Sequence, residues 1–272
     1  MLTIKQITPE KLFANKRRLD VFLEEELSNL VDKDSWLTNW KALAQRFQLL
    51  KFKEMPAEEN EKLQWDTAYI ESVIEMTVQH INQYLNLSEL HITVVPALPF
   101  SFFREQPQSL WSNAFTNGPS NIIIAIPTKP DIEFLQYLLA HESHHACPEN
   151  PIYQLTMDTF TLEEWYKMEG AAEYFSLSLY PDKRWWRNNF PTEVEEKYWN
   201  ECKNHLQSVD DHIKGPLCFG NQQKGIPIFA GYSFALKLVS NYATSQRIDK
   251  IDELFTVDPS EFIEHYEKCH LK

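Results

Sequence analysis

Two histidines four residues apart, His141 and His145, enclose a glutamate, Glu142. In a helix of 3.6 residues per turn both imidazoles lie on one face, where they can bind a single metal ion. The glutamate projects beside them, about 100° further round the helix, and can take a proton from a water on that metal. A hydrolytic zinc site has three protein ligands and one position for water, so this spacing predicts Zn²⁺ and calls for a third ligand. The alternative is a histidine pair that is simply buried in the core.

The residues around the two histidines predict the helix that carries them. Pro130 precedes this helix, and Asp131 can cap its first turn. Pro148 prevents the helix from continuing past the histidines. An apolar stripe at helical spacing is formed by Phe134, Leu135, Leu138 and Leu139.

A second helix of chemical interest is predicted to begin after Thr161. Thr161 and Glu164 have the spacing of a capping box, and Pro181 ends the segment. Inside it, Glu169 and Glu173 lie one turn apart. Their neighbours are small or apolar, namely Met168, Gly170, Ala171, Ala172, Tyr174 and Phe175.

Two carboxylates in such surroundings need a cation or hydrogen-bond donors if they are buried. Small residues let this helix come close to the histidine helix, so Glu169 is predicted to be the third zinc ligand. Glu173 is predicted to accept the free ring N–H of a ligand histidine. The alternative is an exposed acidic pair on an amphipathic helix.

Three other side chains are candidates for stabilising a tetrahedral oxyanion. Tyr232, at the start of a helix predicted over residues 231–242, is the first candidate, and a core tyrosine is the alternative. His205 and His212 are weaker candidates. The glycine-rich segment before this helix, residues 215–231, is predicted to be a long flexible loop.

Two further features are interpreted as structural. The basic and aromatic segment 183–187 is predicted to be a helix that packs its tryptophans while its Lys and Arg side chains extend to solvent. Cys147 is predicted to be a small buried residue, since it would point away from the face that carries the histidines.

Composition excludes several classes of protein. The net charge of −13 over 272 residues argues against a nucleic-acid or anionic-membrane surface. The N-terminus lacks the apolar run of a signal peptide and no stretch is long enough to span a membrane, so a cytoplasmic protein is expected. The four cysteines are far apart, which indicates neither a disulfide framework nor a cysteine zinc site.

The order of patterns predicts an α+β fold that is mostly helical. Residues 1–87 are interpreted as an N-terminal helical segment, with helices over 35–50 and 58–85. Residues 88–272 are interpreted as the catalytic domain, with a small sheet beside the histidine helix that includes strands 90–95 and 121–126. Strand 121–126 either offers an edge to which an extended peptide can pair or is purely structural.

The chain also resembles a known group of enzymes. The histidine motif, followed by Glu169 and Glu173 in Glu-Gly-Ala-Ala-Glu-Tyr-Phe, resembles the gluzincin zinc peptidases. Over about residues 88–245 the chain is more closely similar to the bacterial YjaZ-like predicted zinc-dependent proteases. The resemblance implies a zincin-like domain in which His141 and His145 join Glu169 as ligands. Ala235 stands where the family often has glycine, which concerns helix packing rather than chemistry.

Together these features predict a zinc metallopeptidase with Glu142 as the general base and a peptide or protein as substrate. The spacing itself supports metal-assisted hydrolysis, and the peptide bond comes from the resemblance. The alternative is a non-catalytic, metal-stabilised module that binds a protein or peptide. A structural zinc needs no base and has a closed fourth position, so the presence of Glu142 argues against that alternative.

Overall fold

A computed structural model describes residues 1–31, 35–103, 105–155, 159–186 and 190–270. The chain divides into two compact units, an N-terminal unit of residues 1–148 and a C-terminal unit of residues 149–272. The predicted boundary between residues 87 and 88 stays a prediction. The fold is α+β and mostly helical, as predicted from the sequence.

The described residues of the N-terminal unit contain a four-stranded mixed sheet. Its strands are β1 Leu2–Gln6, β2 Leu90–Pro96, β3 Asn113–Thr116 and β4 Asn121–Ile126, and their order is β1-β2-β4-β3. Strands β1, β2 and β4 are parallel, and β3 runs antiparallel to β4.

Strands β2 and β4 confirm the two predicted strands, but β1 and β3 were not predicted. The first residues are not helical, because β1 pairs with β2 from Leu2 opposite Leu90 to Gln6 opposite Val94. Of the two interpretations of strand 121–126, the free edge for an extended peptide is wrong and the structural strand remains, since β4 is paired on both sides, with β2 and with β3. Strand β3 takes the edge position beside β4.

Two helices of the N-terminal unit are shorter than the sequence pattern predicted. The predicted helix 35–50 is reduced to seven residues, because Gln48 adopts a left-handed backbone conformation. The predicted helix 58–85 is interrupted at Asp66, which caps a new helix by accepting a hydrogen bond from the Tyr69 N–H. The helices of this unit are α1 Pro9–Ala14, α2 Leu19–Leu27, α3 Trp40–Arg46, α4 Asn60–Leu63, α5 Thr67–Ile81 and α6 Ile132–Ala146.

The sheet separates two apolar layers. Ile123 and Ala125 of β4 pack in one core with residues of α1–α3, such as Leu12 and Leu23. Alternation along the strand turns Ile122 and the other even-numbered residues to the opposite face. Helix α6 contacts β3 and β4 and packs beside α5, so that the histidine helix lies on the sheet.

In the described residues, the C-terminal unit contains five α-helices, short 3₁₀ turns and an isolated β-bridge between Asn221 and Ile226. The predicted loop 215–231 is partly wrong, because residues 215–219 end one helix and residues 230 and 231 begin the next. Residues 220–229 connect the two helices and include a 3₁₀ turn at Gln222–Lys224. The helices are α7 Leu162–Leu179, α8 Thr192–Cys202, α9 Asp211–Phe219, α10 Ala230–Gln246 and α11 Pro259–His270. None of the described helices in either unit is long and apolar enough to cross a membrane.

Glycine sets the distance between α7 and α10. A Cβ atom added to Gly170 would lie 2.4 Å from the main-chain oxygen of Ala235 and 2.8 Å from Cγ2 of Val239. Only a residue without a side chain fits this crossing. The close approach is therefore between Gly170 and the main chain of the opposing helix at Ala235.

Candidate metal centre

Helix α6 begins and ends where the sequence predicted. The Asp131 carboxylate accepts a hydrogen bond of 3.0 Å from the Phe134 N–H, which satisfies one of the free donors of the first turn. At the other end, the N–H of Ser120 donates to the carbonyl oxygen of Ala146 over 3.0 Å. Ser120 lies in the turn between β3 and β4, so the hairpin binds the end of the helix.

The two histidines of α6 turn the same ring atom towards each other. The Nε2 atoms of His141 and His145 are 3.1 Å apart, and both side chains are buried. Two nitrogen ligands of one tetrahedral zinc, at bond lengths near 2.05 Å, lie about 3.3 Å apart. The histidine pair therefore has the separation that a shared metal ion requires. A direct hydrogen bond between the two rings would give a similar distance.

Glu142 is also buried, and a neighbour holds its carboxylate. The hydroxyl of Thr116, the last residue of β3, lies 2.7 Å from Oε2 of Glu142 and 2.9 Å from its main-chain oxygen. The hydroxyl has one proton, so it donates to one of these oxygens at a time. Nothing in the sequence analysis pointed to Thr116, because the contact joins residues 26 positions apart.

Glu169 lies in the middle of α7, which starts with the predicted capping box. The Thr161 hydroxyl accepts from the Glu164 N–H, and the Glu164 carboxylate accepts from the Thr161 N–H. Glu169 is buried despite its charge. Burial and, secondarily, the Glu169 carboxylate raise the pKa of the Cys218 thiol on α9 well above its usual range.

His141, His145 and Glu169 form a buried group that could hold a metal ion. One ligand atom from each residue lies within 4.8 Å of the other two. Two imidazole nitrogens and one carboxylate oxygen are a donor set suited to a catalytic zinc. His205 and His212, the alternative residues from the sequence analysis, do not belong to this group.

The comparison with known families agrees with this donor set. A family model described as "Predicted Zn-dependent protease (DUF2268)" matches residues 70–264. The chain belongs to this family. No curated protein and no solved structure matches the chain.

The predicted Zn-dependent protease family covers more of the chain than the motifs do. Its match begins within α5 and extends into α11, whereas the resemblance drawn from the motifs covered about residues 88–245. The residues of the buried His/His/Glu group all lie inside the match. Membership therefore supports a zinc-dependent protease as the coarse description of this chain.

Glu173 forms an ion pair with Arg184, a residue that was predicted to extend to solvent. Its carboxylate is fully buried and lies 2.6 Å from Nη1 of Arg184, which is itself buried. The segment 183–186 is not the predicted helix but an irregular turn, and Arg187 lies outside the described residues. Arg184 therefore compensates a buried charge instead of extending to solvent.

Tyr232 lies in the first turn of α10, as predicted, and it is half-buried. Its ring packs edge-on against Trp165 at 5.1 Å and against Phe229 at 5.5 Å between centroids. Trp165 lies on α7 one turn before Glu169, so this aromatic cluster and the carboxylate share one helix. Whether Tyr232 contacts a reacting group stays a prediction.

Proposed function

We propose that this chain is a zinc metallopeptidase of the gluzincin type, in which His141, His145 and Glu169 hold the metal. The observation that carries the proposal is the buried group of two imidazoles and one carboxylate in a chain of the predicted Zn-dependent protease family. Zinc, when bound there, would supply a Lewis acid that polarises the substrate carbonyl and lowers the pKa of its water to about 7.

The remaining chemistry falls to Glu142. Glu142 follows His141 on α6 and projects about 100° further round the helix. From this position it would take the proton of the attacking water. It then passes that proton to the amine that leaves when the peptide bond breaks. Glu142 is therefore the general base and then the general acid of the proposed reaction.

Two other residues have supporting roles in the proposal. The buried Glu173 would accept the ring N–H of a ligand histidine and keep that ring oriented. Tyr232 would donate a hydrogen bond to the oxyanion of the tetrahedral intermediate. A peptide or protein is the proposed substrate, and the cytoplasm is the predicted location.

The proposal is tested by hydrolysis of a mixed library of quenched fluorescent peptides, with and without a zinc chelator. The wild-type protein should cleave peptides, the chelator should abolish cleavage, and added zinc should restore it.

Glu142→Gln should abolish turnover while the variant keeps its zinc, because glutamine preserves the shape of the side chain but cannot take a proton. Loss of zinc together with activity in this variant would contradict the division of roles between ligands and base. Zinc-loaded wild-type protein that cleaves no peptide would favour the non-catalytic binding module.

A further inference from the structure

The end of strand β3 is held firmly in the N-terminal unit. Thr116 is its last residue and lies opposite Ile122 of β4. The next residue, Asn117, is fully buried, and its side chain accepts from the Leu37 N–H at 2.7 Å and donates to the Leu30 carbonyl at 3.0 Å. Thr116 therefore has a fixed position next to helix α6.

The same hairpin binds α6 at two points one helical turn apart. Ser120 donates its N–H to the carbonyl of Ala146, and Thr116 places its hydroxyl against Glu142. Residues 142 and 146 are four positions apart and share a helix face. The hairpin thus fixes both the position of α6 along its own axis and the direction in which the face with Glu142 points.

The carboxylate is the stronger of the two possible acceptors for the Thr116 hydroxyl. It lies closer than the main-chain oxygen, 2.7 Å against 2.9 Å. It is charged when ionised, and hydrogen bonds to charged acceptors are about twice as strong as neutral ones. Both side chains are buried, with 6% of Thr116 and 8% of Glu142 exposed, so water competes little for this bond.

We propose that Thr116 is a positioning residue for Glu142: its hydroxyl holds Oε2 and leaves Oε1 to take the proton from water. This inference rests on the proposed function, because it assigns a task within that reaction. A carboxylate with one side-chain torsion fixed by a donor cannot turn away from the water that it must deprotonate. Thr116 itself need not touch the substrate.

The test compares a variant of Thr116 that lacks the hydroxyl group with a variant that keeps it. Thr116→Val removes the hydroxyl but keeps a β-branched side chain suited to a strand, and Thr116→Ser keeps the hydroxyl. We expect Thr116→Val to lower kcat on the order of 10- to 100-fold, with KM and zinc content unchanged, and Thr116→Ser to retain most of kcat. If Thr116→Val does not fold, Thr116→Ala against Thr116→Ser makes the same comparison. Wild-type kcat in Thr116→Val, or an equal loss in Thr116→Ser, would overturn the proposal.

A second measurement on the metal-free protein does not depend on activity. Thr116→Val should lower the urea midpoint of unfolding in the wild-type background and should lower it much less in a Glu142→Ala background. An equal shift in both backgrounds would show that the hydroxyl donates to the main-chain oxygen, and the proposal would fall. Zinc-loaded wild-type protein without peptidase activity would remove the proposed function, whereas the midpoint comparison would still decide whether Thr116 binds the carboxylate.

Discussion

The guanidinium of Arg184 and the carboxylate of Glu173 form an ion pair whose two members are both buried. Their Nη1 and Oε2 atoms are 2.6 Å apart. Glu173 lies one turn after Glu169 on α7, so Arg184 neutralises charge next to a proposed metal ligand. This ion pair explains how the fully buried Glu173 is tolerated among alanine and phenylalanine side chains.

Replacing Arg184 with methionine should destabilise the protein strongly. The substitution keeps an apolar stem but leaves Glu173 buried without this partner, a loss that typically costs about 3–5 kcal/mol. Urea unfolding of the metal-free protein measures the change. The same substitution at the exposed Arg17 should change the free energy of unfolding by less than about 0.5 kcal/mol.

A double variant checks the cause of that loss. Arg184→Met combined with Glu173→Gln removes the uncompensated charge, so it should be more stable than Arg184→Met alone. Equal stability of the single and double variants would show that packing of the arginine stem, and not its charge, is responsible.

Gly170→Ala should disturb the crossing of α7 and α10. The added methyl group would overlap the main chain at Ala235, and overpacking of this kind costs about 1–3 kcal/mol. We also expect a lower zinc content, because Glu169 is the adjacent residue.

Gly215→Ala is the control for Gly170→Ala, because nothing lies within 4 Å of a Cβ atom added to Gly215. Its helix-propensity gain is opposed by the following Pro216, so the net change should stay below about 1 kcal/mol. Equal stability of the two variants would contradict the close approach.

The cysteines should differ sharply in reactivity. Burial raises the pKa of Cys202 to about 12 and that of Cys218 well above its usual range, and Cys147 is also buried. Only Cys269 is exposed. Because the thiolate is the reactive form, brief treatment of the native protein with iodoacetamide at neutral pH should label Cys269 alone. Mass spectrometry of tryptic peptides shows the labelled sites. Cys269→Ser should remove native labelling, and rapid labelling of a buried cysteine would contradict the burial.

Local signals in the sequence were sufficient to predict the two helices of the candidate centre. Asp131 and the Thr161–Glu164 capping box act on their own first turns, so their effect can be inferred from neighbours in the chain. The spacing of His141 and His145 likewise needs only the period of a helix.

Features that depend on distant partners were not predicted. Strand β1 exists because Leu2–Gln6 pairs with residues almost 90 positions later, and the short β3 depends on its pairing with β4. Arg184 was interpreted as a surface residue because nothing in its segment reveals a buried carboxylate 11 residues earlier. Thr116 looked like an ordinary residue at the end of a strand, and only its contact with Glu142 gives it a role.

The central claim is that Glu169 completes a zinc site with the two histidines of α6. The most direct measurement is the metal content of the purified protein by inductively coupled plasma mass spectrometry, for wild type, Glu169→Ala and Glu196→Ala. Glu196 is an exposed glutamate of α8 and serves as the matched control. We expect about one zinc per chain in wild type and in Glu196→Ala, and loss or strong weakening of zinc binding in Glu169→Ala. Folded wild-type protein that takes up no zinc when zinc is offered, or Glu169→Ala that binds zinc as tightly as wild type, would contradict the claim.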